Sequence, residues 1–217
     1  MDPALSGAGN PYCAEGYKEI AYEVIEQLGR MPATVIVPTA GGDTLYGIAK
    51  GLLEISALTG SPLPKLIAVQ PLRANTLSRS AAAGRPVTLE SADSIALSLS
   101  DRRVGRQALV ALRRTNGIAT DVEESEIATA VRDLALAGFW AEPASAAGLA
   151  GYRVASRDGL IDASGPTVIV LTASGFKWPD AMARVVELDS VRSRAELWHR
   201  LDLLTSGDSR ADGHLST

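Results

Sequence analysis

Residues 39–43, Thr-Ala-Gly-Gly-Asp, follow a β-branched run and precede a segment with helical periodicity. Two adjacent glycines leave the backbone bare, so successive N–H groups can approach a ligand closely. A helix that starts at such a turn points its positive end at the same place. Thr39 and Thr44 add hydroxyl donors. A monophosphate or a carboxylate suits a cup of this kind; the alternative is a strand-to-helix connection in which glycine only satisfies backbone geometry. Two familiar phosphate motifs fail on spacing. A P-loop needs Lys directly after its last Gly, but Gly47 is followed by Ile48 and Ala49 before Lys50. A dinucleotide fingerprint needs three glycines in a fixed pattern, which Gly41, Gly42 and Gly47 do not make.

The elements that must position this turn are short strands alternating with amphipathic helices. Residues 34–37 (TVIV), 65–70 (KLIAVQ), 117–122 (GIATDV) and 167–172 (TVIVLT) read as strands. Most are apolar on both faces, the pattern of parallel strands covered on both sides. Ile20, Ala21, Val24, Ile25 and Leu28 make the stripe of a first helix that Gly29 and Pro32 end. Ile48, Leu52 and Ile55 mark a second helix; Val104, Ala108, Leu109 and Leu112 mark another. Ile127, Val131 and Leu134 mark a further one, after acidic residues 121–126 whose carboxylates suit a helix N-terminus. The pattern predicts an α/β fold, an open and mostly parallel sheet with helices on both faces. Residues 84–101 predict a short strand, a loop at the site, or both. Residues 194–204 predict a terminal helix with Leu197, Leu201 and Leu204 on one side, and the residues from 205 a flexible tail.

Bulk properties limit the function. The 217 residues are 46% hydrophobic and 21% charged, with a formal net charge of -4. That composition is ordinary for a globular domain. A negative balance argues against nucleic acid, whose binding rests on cationic contacts to phosphate. With one cysteine and two histidines, there is no internal disulfide and no Cys/His metal spacing. No apolar run reaches the ~20 residues of a membrane helix, and residues 1–13 lack the pattern of a signal peptide; the expectation is a cytoplasmic protein. Cys13 has no His nearby in sequence and reads as a small packed residue rather than a nucleophile. Arg102, Arg103, Arg106, Arg113 and Arg114 cluster on one predicted helix, as an anion or partner site or as its solvated face. Trp198 reads as an interface anchor or as cover for the sheet edge.

Four segments in order carry a resemblance. Residues 10–29 (NPYCAEGYKEIAYEVIEQLG), 37–51 (VPTAGGDTLYGIAKG), 141–152 (AEPASAAGLAGY) and 168–180 (VIVLTASGFKWPD) resemble the second half of threonine synthase and its relatives. These are pyridoxal-phosphate enzymes of fold type II, the tryptophan-synthase-β-like group. The resemblance implies that Thr39, Ala40, Gly41, Gly42 and Asp43 cup the cofactor phosphate. It implies that Thr172, with Ser174 as a near alternative, faces the pyridine nitrogen, and that Glu142 lies near the ring. Read from the residues alone, Thr172 is a strand-end threonine and Glu142 a helix-start charge before Pro143. A hydroxyl at the ring nitrogen leaves a milder electron sink than a carboxylate would, suited to elimination and replacement. Asp43 stands where a neutral residue is usual in threonine synthases, so its carboxylate is expected to turn back toward backbone N–H groups and cap the helix.

The family's Schiff-base lysine and its loop for the substrate carboxylate lie in the half that would precede Asn10. None of Lys18, Lys50, Lys65 and Lys177 matches the catalytic position, and all four read as solvated surface charge. The resemblance therefore implies a lyase-like chain acting on an amino acid such as O-phosphohomoserine, present as a truncated C-terminal half or one part of a split enzyme. On this reading residues 1–9 are a short remnant, 10–204 a partial cofactor-binding domain and 205–217 the tail. A threonine/serine dehydratase or diaminopropionate-lyase-like chain is an alternative. Another is a non-catalytic module for a phosphate ligand, or a subunit completing a partner chain. The implied partners are an amino-acid substrate and either a second copy of the chain or a chain supplying the N-terminal half. Neither nucleic acid nor membrane is expected.

Overall fold

A computed structural model describes residues 11–185 and 193–206. Expectations for residues 1–9 and for the tail beyond 206 lie outside the described residues. The chain divides into two units, residues 1–186 and 187–217.

The first unit is built on four parallel strands: β1 (Thr34–Pro38), β2 (Lys65–Pro71), β3 (Ile118–Val122) and β4 (Thr167–Ile169). Their order is β3-β2-β1-β4. In β1, Val35 pairs with Leu66 on one side and with Val168 on the other. Alternation along the strands divides the core into two layers. Val35, Val37, Leu66 and Ala68 meet Leu45, Ile48 and Leu52 of α3 (Asp43–Thr59) and Ala108, Leu109 and Leu112 of α5 (Arg106–Thr115). Ile36, Ile67 and Val69 meet the alanines of α7 (Pro143–Arg157) and Ile127 and Val131 of α6 (Glu124–Leu136). The small face of α7 lets it lie almost on the sheet: a Cβ at Gly151 would stand 2.3 Å from Val69 Cγ2. The expected start of α6 is present as a capping box, in which Glu123 and Glu126 exchange backbone and side-chain hydrogen bonds.

Several boundaries differ from the sequence pattern. The first predicted helix is α2 (Lys18–Leu28), ended at Gly29, and a short helix α1 (Pro11–Gly16) that the pattern did not predict precedes it; of the predicted stripe only Ala21 is fully buried. The last strand stops at Ile169 instead of Thr172. The Val170 N–H still donates to Ile36 O at 3.0 Å, but β4 has a partner on one side only and its three residues are half-buried. Only β1 and β2 are fully covered; β3 and β4 are edges, where apolar runs no longer require two covered faces. The five arginines do not share a helix. Arg102 and Arg103 precede α5, the Arg102 Nε donating to Leu89 O and Arg103 bridging to Thr88. The rest of residues 84–101 is loop with a single 3-10 turn, Leu97–Leu99.

Helices α4 (Thr76–Ala83) and α8 (Pro179–Val185) complete the first unit. The second unit contributes one described helix, α9 (Arg194–Ser206), so Thr205 and Ser206 are helical rather than tail; Leu197 and Trp198 are exposed. Among the described residues no helix is long and apolar enough to cross a membrane.

Candidate cofactor site

The strand order sets the place of the site. From β1 the chain adds β2 and then β3 to one side, while β4 returns to the other. The carboxyl ends of β1 and β4 thus flank a topological switch point, the crevice where open parallel sheets bind ligands. The Gly turn leaves β1 at that crevice and opens α3.

Residues 38–45 of the turn line a cavity of about 410 Å³ with Cys13, Tyr17, Ser98, Asp101 and Lys177. Gly42 caps α3 with φ 104°, a conformation glycine alone adopts without cost. It is also buried against α5: a Cβ there would come within 2.4 Å of Ala108 Cβ. The turn is braced by the chain just before and within α5, with Gly105 N–H donating to Gly41 O at 2.9 Å. The Asp43 carboxylate takes the Gln107 amide, Nε2 to Oδ1, at 2.7 Å. This side-chain partner lies on α5. Thr39 is buried and its hydroxyl donates to Val37 O at 2.9 Å, so its proton is directed into the strand rather than the cavity.

A second cluster forms at the end of β4. Thr172 Oγ1 lies 3.0 Å from Ser145 Oγ. Ser145, fully buried in the first turn of α7, accepts the Ala173 N–H at 2.6 Å and donates to Ala173 O at 2.8 Å. With the single Ser145 proton on Ala173 O, the Thr172 hydroxyl donates to Ser145 Oγ; with that proton on Thr172 instead, the exposed Thr172 hydroxyl can donate outward. Ser174 Oγ turns away, to Trp140 O at 3.4 Å and to the Phe176 N–H. Ser145 carries no role readable from the sequence pattern beyond being a small polar residue three after Glu142, one helical turn along α7.

Glu142 joins the two clusters. It caps α7, is buried to 1% exposure, and has one carboxylate oxygen, Oε2, without a hydrogen-bond partner. The other, Oε1, lies 3.5 Å from Lys177 Nζ. That amine also donates to Ser98 Oγ at 2.9 Å and lies over the Trp178 ring. Lys177 is therefore not the solvated charge read from the sequence: it lines the cavity and ties it to the buried carboxylate. Lys18 is likewise engaged, with Glu15 at 2.8 Å and Glu54 at 3.1 Å, and Lys50 pairs with Glu15. Lys65 opens β2 at the opposite end of the sheet.

Thr39, Ala40, Gly41, Gly42 and Asp43 thus line one cavity, whereas Thr172, Ser174 and Glu142 lie beside it, linked through Lys177. Cys13, half-buried and unpaired, lines the cavity as well. The residues fit a phosphopyridoxyl group at two ends. The turn and the start of α3 offer N–H groups for a phosphate; the Thr172 hydroxyl and the orphaned Glu142 oxygen offer polar partners for a ring.

Residues 4–173 match the model of a family described as pyridoxal-phosphate dependent enzymes. A threonine synthase of Methanosarcina acetivorans is 32% identical over 193 residues, 84% of this chain and 47% of that protein. A biosynthetic L-threonine dehydratase of Mycobacterium leprae is 33% identical over 163 residues, 74% of this chain and 36% of that protein. Among solved structures, a fungal L-serine ammonia-lyase from Rhizomucor miehei aligns with a TM-score of 0.69 at 25% identity, covering 80% of this chain and 56% of that one. The chain spans about half the length of the threonine synthases it matches.

Proposed function

From the premise that this chain belongs to the pyridoxal-phosphate dependent enzyme family, with the fold type II architecture, we propose that it is the cofactor-phosphate half of a lyase acting on an amino acid. The reaction class is elimination or replacement on a substrate such as O-phosphohomoserine. The observation that carries this reading is the Gly41–Gly42 turn at the switch point, capping α3 and facing Lys177 across one cavity. Pyridoxal phosphate supplies an electron sink when bound. The chain's own residues do the rest. N–H groups of residues 40–44 bind the phosphate at the positive end of α3. The Thr172 hydroxyl, set by Ser145, donates to a ring nitrogen without protonating it. Glu142, buried beside it, orients ring substituents, and Lys177 neutralises its charge.

On this reading none of the four lysines is the amine that holds the cofactor aldehyde, and that amine and the substrate-carboxylate loop belong to another segment. Turnover thus depends on a second segment or chain that supplies them. The test is incubation of the chain with pyridoxal phosphate, borohydride and peptide mass mapping, beside an assay with O-phosphohomoserine. No stoichiometric lysine adduct and no turnover are expected. Stoichiometric trapping at one of the four lysines would contradict the assignment of the reactive amine to a separate segment. Serine and threonine run in the same assay, after the N-terminal half of a threonine synthase has been added, separate the dehydratase reading from the synthase one.

A further inference from the structure

Gln70, near the carboxyl end of β2, is a fully buried polar side chain that does not itself line the cavity. Its Nε2 donates to Thr39 O at 3.0 Å and to Thr76 Oγ1 at 3.2 Å. Its Oε1 accepts the Leu77 N–H at 2.5 Å. The amide cannot be turned over, because the Leu77 N–H only donates and Thr39 O only accepts. Gln70 therefore ties the start of α4 to the first carbonyl of the Gly turn. The other polar groups of Thr39 are also committed to the sheet: its N–H donates to Val69 O at 2.9 Å and its hydroxyl to Val37 O at 2.9 Å.

This bond fixes the orientation of a peptide. In a planar trans peptide the C=O and the N–H point opposite ways. The Thr39 carbonyl is drawn to Gln70, behind the turn, so the Ala40 N–H of the same peptide is turned away from Gln70. Ala40 lines the cavity, and among the described residues no backbone carbonyl accepts its N–H. The same device recurs two residues on. Gly41 O is held at 2.9 Å by the Gly105 N–H, which stands outside the cavity, and this leaves the Gly42 N–H turned away from Gly105.

We propose that Gln70 is a positioning residue of the cup, fixing the 39–40 peptide so that the Ala40 N–H faces the cavity before a phosphate enters. The inference rests on the reading of the turn as a phosphate cup and names the side chain that preorganises it. Without this anchor the peptide beside two glycines is free to rotate, and one of its orientations presents a carbonyl oxygen to the anion. Each such orientation costs the phosphate a donor and adds repulsion. Holding the donor in place beforehand removes that cost from binding.

The experiment is an amide NMR titration of the full chain with inorganic phosphate at constant pH, joined to phosphate affinities of Gln70→Met and Thr76→Val. In the unaltered chain the Ala40 amide proton is expected to move downfield to saturation. Gln70→Met releases Thr39 O and is expected to weaken phosphate binding at least about fivefold. Thr76→Val breaks a hydrogen bond of the same buried network but leaves Thr39 O on Gln70. It is expected to lower the urea midpoint as well, yet to keep phosphate affinity within about twofold. Gln70→Glu keeps the acceptor for the Leu77 N–H and, when ionised, loses the donor to Thr39 O; it repeats the affinity test should Gln70→Met not fold. Equal affinity losses in the Gln70 and Thr76 variants would overturn the positioning role with the cup intact. So would an Ala40 amide that stays still while those of residues 42–44 shift. No response from any amide of residues 40–44 would overturn the cup and the inference together.

Discussion

Ser145 decides how much of the site survives a single change. Its hydroxyl satisfies the Ala173 N–H and carbonyl and touches Thr172. Ser145→Ala leaves a buried N–H without an acceptor, so a loss of about 1–3 kcal/mol is expected, measured by urea unfolding. Weaker pyridoxal phosphate binding should accompany it, because Thr172 loses the neighbour that sets its proton. Lys177→Met tests the other link. It removes the cation beside a buried carboxylate that already has an orphaned oxygen. Half of the Lys177 side chain is exposed, so the expected loss is nearer 1–2 kcal/mol than the larger cost of breaking a fully buried pair. An unchanged urea midpoint would refute the coupling. The residue roles were legible to unequal degrees. The Gly turn declares itself through composition and neighbours, because backbone geometry restricts residue type. Lys177 does not, since a lysine after a strand looks the same whether it meets water or a carboxylate brought near by α7.

At the scale of elements, the four strands and the main helices were readable because burial on two faces imposes long apolar runs on β1 and β2 and a one-sided stripe on the helices. The edges were not, because a strand with one neighbour carries the same residue types over fewer ladder bonds, as β4 shows beyond Ile169. Helix α7 was readable as a small-residue segment but not as one seated on the sheet. Gly151→Ala tests that seat: a methyl 2.3 Å from Val69 Cγ2 forces α7 off the strands, and a loss of about 1–3 kcal/mol is expected in thermal or urea unfolding. α1 meets α3 by close packing, with the buried Ala14 and with Tyr17 lying against Gly47, and by an ion cluster around Glu15. Glu15, held by Lys18 and Lys50, has its carboxyl lowered to about 2 from an ordinary 4.5. A lowered carboxylate stabilises the folded form fully above 4.5, and that contribution disappears as pH falls toward about 2. Amide exchange of residues 13–18 should therefore quicken selectively across that interval. Equal exchange at pH 5 and pH 2.5, after correction for intrinsic rates, would show that the ion cluster does not hold α1.

For the whole molecule, the sheet brings the Gly41–Gly42 turn, the Thr172 hydroxyl and the buried Glu142 carboxylate to one end of β1 and β4; the proposal gives them the cofactor's phosphate and ring and gives the reactive amine to another segment. The family match over residues 4–173 places the chain among pyridoxal-phosphate dependent enzymes, and the chain spans about half the length of the threonine synthases it matches. The most direct measurement compares pyridoxal phosphate with pyridoxal by fluorescence titration of the chain, with inorganic phosphate as competitor. The account predicts saturable binding of the phosphorylated compound, displacement by phosphate, and binding of pyridoxal at least about tenfold weaker. Equal binding of the two compounds, indifferent to added phosphate, would contradict it.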